Sequence, residues 1–144
     1  MFKLVRKGKR EMYGRNSESV SRPRMLLAYA DAAYASACGR HFRRLGWEVQ
    51  MVANSAEARE LAGGYRPDVV VLDAALLDES GWLTSAKIST ENPELKIVVV
   101  ADQRSENMEQ RLRMVGADHA VCRQDGAEAL AESIFGKSFL SEAV

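Results

Sequence analysis

The sequence predicts a doubly wound α/β domain, with five short strands alternating with five helices around one parallel sheet. Three observations carry that prediction. Residues 68–73 (DVVVLD) and 96–101 (KIVVVA) are nearly continuous β-branched runs, the pattern of strands covered by helices on both faces. Each apolar run is followed by a helix-forming segment, and parallel neighbours need such crossovers, which are right-handed. The chain has 144 residues, is 47% hydrophobic and balances 20 basic against 20 acidic side chains, so one core can form without metal or disulfide staples.

The elements follow in order. Residues 25–29 (MLLAY) form an apolar strand, and residues 32–45 form a helix closed by Gly46. Residues 47–52 (WEVQMV) alternate as a half-exposed strand does. Asn54 with Glu57 three positions on starts a helix through Ala62, which Gly63-Gly64 is expected to stop. Residues 68–73 then form the central strand, and residues 80–89 a short helix broken by Asn92-Pro93. After the strand 96–101, Ser105 is expected to cap a helix through Val115 that Gly116 closes. Residues 119–122 form the last strand, and Asp125 starts a helix through about Phe135.

Cys38 and Cys122 have no metal-ligand or CxxC spacing and read as small buried hydrophobes. No apolar run, residues 97–101 included, approaches the length of a membrane span. These features point to a cytoplasmic location. The charge balance is uneven: residues 1–24 hold eight basic side chains against Glu11 and Glu18, an excess of six that the rest of the chain offsets. Residues 1–23 read as a flexible basic arm, 24–136 as the folded domain and 137–144 as a tail. Nucleic acid or an anionic membrane is therefore a partner through the arm alone.

Ligands of such folds gather beyond the carboxyl ends of the strands. There the sequence offers Tyr29, Ala30 and Asp31, then Asp73, then Ala101 and Asp102, then Arg123. His41 and His119 lie too far apart in role to make a metal pair, and Trp47 and Trp82 read as packing residues. No GxSxG, GxxxxGK, HExxH or GxGxxG occurs, so a conventional enzyme is not expected.

From about residue 24 to 135 the chain resembles the receiver domain of bacterial two-component response regulators. The resemblance rests on residues 67–81 (PDVVVLDAALLDESG), on Gly116-Ala117-Asp118 with residues 119–123, and on Leu45-Gly46-Trp47-Glu48-Val49. It implies a flavodoxin-like (βα)5 fold with strand order 2-1-3-4-5 and makes Asp73 the match of the phosphoacceptor. It also implies Mg²⁺ held by carboxylates, with a hydroxyl and a lysine on neighbouring strand ends taking up phosphoryl charge.

The chain departs from that pattern at most of these positions. Tyr29 and Ala30 stand where the family has its acidic pair, and Asp31 is one residue late. Ala101 replaces the Thr or Ser hydroxyl, Arg123 the lysine and Ala120 the switch aromatic. Leu77 and Gln124 replace two common loop prolines. Arg123 is expected to pair with Asp73 and hold one conformation. The expectation is a stand-alone, degenerate receiver that binds protein partners without phosphorylation, has no catalytic residues and needs no cofactor, Mg²⁺ binding being weak at most. A signalling protein, a sensor kinase or a second copy is the expected partner. Arg104, Arg111 and Arg113 mark an arginine-rich face toward the last helices, on which Met108, Leu112 and Val115 read as core. Two alternatives stand beside this. Asp31, Asp73 and Asp78 or Glu79 could rebuild an atypical Mg²⁺ site for phosphorylation at Asp73, or the chain could act on nucleic acid through its arm.

Overall fold

The computed structural model describes residues 22–136, so the arm and tail readings lie almost wholly outside the described residues. Within them the order is β1 (Arg24–Ala28), α1 (Ala32–Arg44), β2 (Glu48–Val52), α2 (Ser55–Gly64), β3 (Val69–Asp73), α3 (Gly81–Glu91), β4 (Lys96–Ala101), α4 (Met108–Val115), β5 (His119–Cys122) and α5 (Gly126–Phe135). A 3₁₀ turn, Arg123–Asp125, leads into α5. The strands form one parallel sheet in the order β2-β1-β3-β4-β5.

Strand alternation explains the continuous apolar runs, because successive side chains feed two different cores. Met25, Leu27, Val69, Val71, Val98 and Val100 face α1 and α5, where Phe42, Trp47, Leu130, Ile134 and Phe135 complete the layer. Leu26, Ala28, Val70, Leu72 and Ile97 face the other way, onto Ala58, Ala62 and Ile88 of α2 and α3. Phe42, Trp47 and Phe135 pack edge-on or tilted, with centroids 5.6 to 6.3 Å apart. Cys38 and Cys122 are buried free thiols.

Several boundaries differ from the sequence expectation. Helix α2 runs through Gly63 and Gly64, and the chain turns instead at Arg66, whose φ is 58°. Ser105 does not cap α4; its carbonyl closes a preceding turn with the Met108 N–H (3.3 Å), and the helix starts at Met108. Trp47 and Tyr29 flank their strands rather than belonging to them. Asp125 lies in the 3₁₀ turn, one residue before α5. Helix α4 also has no fully buried residue: Met108, Leu112 and Val115 are half-buried, so the core reading of that stripe is corrected. No helix among the described residues is long and apolar enough to cross a membrane.

Candidate functional site

The carboxyl ends of β1, β3 and β4 and the start of the 3₁₀ turn bring Tyr29, Asp31, Asp73, Asp102 and Arg123 together. Asp73 ends the central strand and is almost wholly buried, with 8% of its surface exposed. Its Oδ1 accepts the Ala75 N–H at 2.9 Å. Burial pushes the Asp73 carboxyl above the ordinary aspartate range, against hydrogen bonds from the Ala75 and Ala30 backbone that pull it down; the Asp102 carboxylate adds to the rise and the Arg123 charge opposes it.

The sign of the resulting pH dependence follows from that order of causes. A carboxyl whose pKa is raised by folding stabilises the native state when protonated, fully below its unfolded pKa, and loses that contribution as pH rises through the folded value. Relative to Asp73→Asn, which cannot ionise, the wild type is expected to gain stability as pH falls from about 8 to about 4. Urea unfolding of both proteins across that range measures it. A difference that is flat, or that runs the other way, contradicts a carboxyl governed by burial.

Tyr29 is 4% exposed, and its ring lies 4.5 Å from that of Tyr34. Burial, reinforced by the Asp73 carboxylate, raises its hydroxyl pKa, so the group stays neutral beside the acids. Ala30 is exposed and Ala101 buried, and neither side chain offers an oxygen. Ala120 is half-buried in β5, opposite Val99. Leu77 and Gln124 are exposed.

Asp31 carries two roles. Its Oδ1 caps α1 by accepting the Ala33 and Tyr34 N–H groups at 2.9 and 3.4 Å, and its Oδ2 accepts from Arg123 Nη1 at 3.1 Å. Arg123 Nη2 lies 3.1 Å from Asp102 Oδ1. The guanidinium therefore forks between Asp31 and Asp102 instead of pairing with Asp73, which corrects the expected Asp73–Arg123 bond. Both partners sit at the rim, where a planar five-donor fork can span two carboxylates. Asp73 lies deeper and already accepts backbone N–H groups.

The displaced acids are engaged elsewhere. Asp78 caps α2 across the loop, accepting the Ser55 N–H (3.0 Å), the Ser55 hydroxyl (2.8 Å) and the Ala56 N–H (3.3 Å), which hold its carboxyl below the usual range. Glu79 accepts from the Lys87 ammonium and from the Thr84 hydroxyl (2.7 Å), again lowering its pKa. Among the described residues, no group of three His, Cys, Asp or Glu side chains is placed to hold a metal ion.

The candidate arginines are dispersed rather than gathered on one face. Arg104 Nη2 is 3.9 Å from Asp125 Oδ2, Arg111 lies over the Trp82 ring at 5.1 Å, Arg113 is exposed, and Arg123 belongs to the Asp31–Asp102 fork. Sequence reasoning placed Asp102 and Asp31 at the strand ends but missed both as partners of Arg123, and it missed Asp78 as a helix cap. The one local signal was the position of Asp31 directly before an alanine-rich helix.

Residues 26–135 match the response regulator receiver domain. The chain belongs to that family. Receiver domains serve two-component signal transduction, are generally non-enzymatic, and interact with kinases and other signalling proteins. The fold agrees with solved receivers. A CheY-like receiver domain protein from Methanospirillum hungatei JF-1 has 23% identity, a TM-score of 0.73, and coverage of 85% of this chain and 96% of its own. A response regulator from Burkholderia pseudomallei, described with a phosphorylated aspartic acid, calcium ion and citrate, has 21% identity, a TM-score of 0.72, and coverage of 84% and 71%. The chemotaxis protein CheY4 of Vibrio cholerae has 18% identity, a TM-score of 0.73, and coverage of 78% and 96%. No curated protein matches the chain.

Proposed function

We propose that this receiver domain works as a phosphorylation-independent protein-interaction module whose Asp73 is silent as a phosphoacceptor. The observation that carries the reading is the Arg123 fork. It occupies Asp31 and Asp102, the two carboxylates beside Asp73, and Asp31 is further committed to capping α1.

The donor set supports the same reading. Mg²⁺ demands six oxygens in near-octahedral geometry and sheds water reluctantly. At the positions matching the family's acidic pair and hydroxyl stand Tyr29, whose hydroxyl stays neutral, and two alanines, Ala30 and Ala101, while Asp31 and Asp102 are held by Arg123. One buried carboxylate with carbonyls and water does not fit the cation. Without it, only the Arg123 charge, already shared between Asp31 and Asp102, faces a phosphoryl group arriving at an aspartate that is desolvated. A rebuilt site is disfavoured by the same geometry, since Asp78 and Glu79 are tied to Ser55, Thr84 and Lys87.

The test is titration with Mg²⁺ and an acyl-phosphate donor or beryllofluoride, read by intact mass and by amide shifts around Asp73. No mass increment and no shift are expected. A saturable response that disappears in Asp73→Asn overturns the reading and restores a phosphoryl switch.

A further inference from the structure

The interaction module needs a docking surface, and the flank between α3 and α4 offers one. It lies on the side of α4 away from β5 and α5. Among the α-helices of the described residues, α4 alone has no fully buried residue, although its apolar positions recur at helical spacing. Its C-terminus is latched to α3: the Ser85 and Ser89 hydroxyls donate to the Val115 carbonyl at 2.8 and 3.2 Å. The two helices are thus fixed side by side, and each carries an exposed apolar side chain. Met114 is 77% exposed and Leu83 is 49% exposed. Trp82 and Ala86, one turn apart on α3, are half-buried. A shallow groove of about 300 Å³ lies along α4 itself, lined by Asn107, Gln110, Arg111, Met114 and Val115.

One charge stands in this apolar setting. The Arg111 guanidinium lies over the Trp82 ring, 5.1 Å from its centroid, and no carboxylate pairs with it among the described residues. The acids nearest to it in sequence, Glu106 and Glu109, are exposed at the start of α4 and make no ion pair with it. A guanidinium stacked on an aromatic face keeps its N–H edge free and has already lost much of its rotamer freedom, so a carboxylate meets it pre-organised. The remaining polar lining, Asn107 and Gln110, is neutral, too little positive charge for a phosphate backbone.

We infer that the flank centred on the Arg111–Trp82 contact, with the groove along α4 beside it, docks an acidic amphipathic helix of a partner protein, its apolar stripe against Trp82, Leu83 and Met114 and a carboxylate on Arg111. This is the helix-in-groove mode, in which side chains at i, i+3 or i+4, and i+7 supply the anchors. The inference rests on the interaction-module reading and gives it a surface.

Two synthetic amphipathic helical peptides with the same leucine face, one carrying glutamate and one lysine on the polar face, test it on the full chain. Trp82 supplies the readout, because Trp47 is 1% exposed and insulated. The glutamate peptide is expected to change Trp82 emission and to shift amides of Trp82, Leu83, Arg111 and Met114, with affinity falling as salt rises. Arg111→Glu is expected to weaken that peptide by about tenfold or more and to turn the preference toward lysine. Met114→Glu is expected to abolish binding of the glutamate peptide. Equal affinity for both peptides, shifts confined to β5 and α5, or self-association through the same residues overturns the inference, the last by assigning the groove to a second copy. Repeating the titration with beryllofluoride separates the two proposals. Binding seen only in its presence keeps the groove and overturns the phosphorylation-independent reading, whereas no binding in either state overturns the groove alone.

Discussion

Writing the family pattern back into the site, as Tyr29→Asp, Ala30→Asp, Ala101→Thr and Arg123→Lys together, is expected to yield a domain that binds beryllofluoride stoichiometrically in millimolar Mg²⁺, where none is expected to bind the wild type. The two new aspartates would add anionic oxygens beside Asp73, the threonine a hydroxyl at the end of β4, and the lysine a compact charge that cannot fork. Losing the fork also releases Asp102, while Asp31 keeps its capping bonds to α1. Binding is read by ¹⁹F resonances of the bound complex and by amide shifts around Asp73. Tyr29→Asp removes a buried ring stacked on Tyr34, so a dispersed amide spectrum must first show the variant folded. The triple variant that keeps Tyr29 guards against loss of fold and is expected to respond more weakly. Arg123→Lys alone is expected to stay inert. A folded quadruple variant that ignores beryllofluoride would show that these four positions do not govern whether Asp73 accepts a phosphoryl mimic.

The parts of this site that the sequence disclosed are those fixed by a single strand. Residues 69–73 and 96–101 are so densely β-branched that only a doubly covered strand accommodates them, and Asp73 is then placed by its position at the end of one. The parts it hid depend on where distant residues meet. Arg123 and Asp31 are separated by 92 positions, and Asp78 and Ser55 by 23. Nothing local distinguishes an arginine that will reach the rim acids from one that will reach the buried acid. Depth decides it, and depth is a property of the assembled sheet. The glycine pair at 63–64 misled for a different reason. Glycine permits a left-handed stop but does not require one, and here Arg66 takes the positive φ immediately before Pro67. The α4 stripe reads as core by periodicity, yet periodicity reports which face is apolar and not whether anything covers it.

Gly81→Ala is expected to destabilise the fold by about 3 kcal/mol, near the upper end of ordinary overpacking. The requirement for glycine there is a close approach and not a left-handed turn. After Asp73 the chain loops out, and Gly81 returns to donate its N–H to the Ala74 carbonyl at 2.9 Å, with an Ala75–Ser80 bridge alongside. A Cβ at Gly81 would drive into the Asp73 carbonyl and crowd the Ala74 Cα. Every atom in that collision is backbone, so no side-chain rotation relieves it, and either β3 or the start of α3 must shift. The shift would carry Asp73 out of its hydrogen bond to Ala75 and pull the loop that brings Asp78 to the N-terminus of α2. The loss would therefore spread across both ends of the loop. Gly63→Ala is the contrasting substitution: it lies in helix α2 with open space around it, and it is expected to stabilise by about 0.5–1 kcal/mol. Urea unfolding of the two variants side by side decides the point. Equal and small effects would mean that the loop gives way without cost, and that the approach of Gly81 to Asp73 does not hold the site in place.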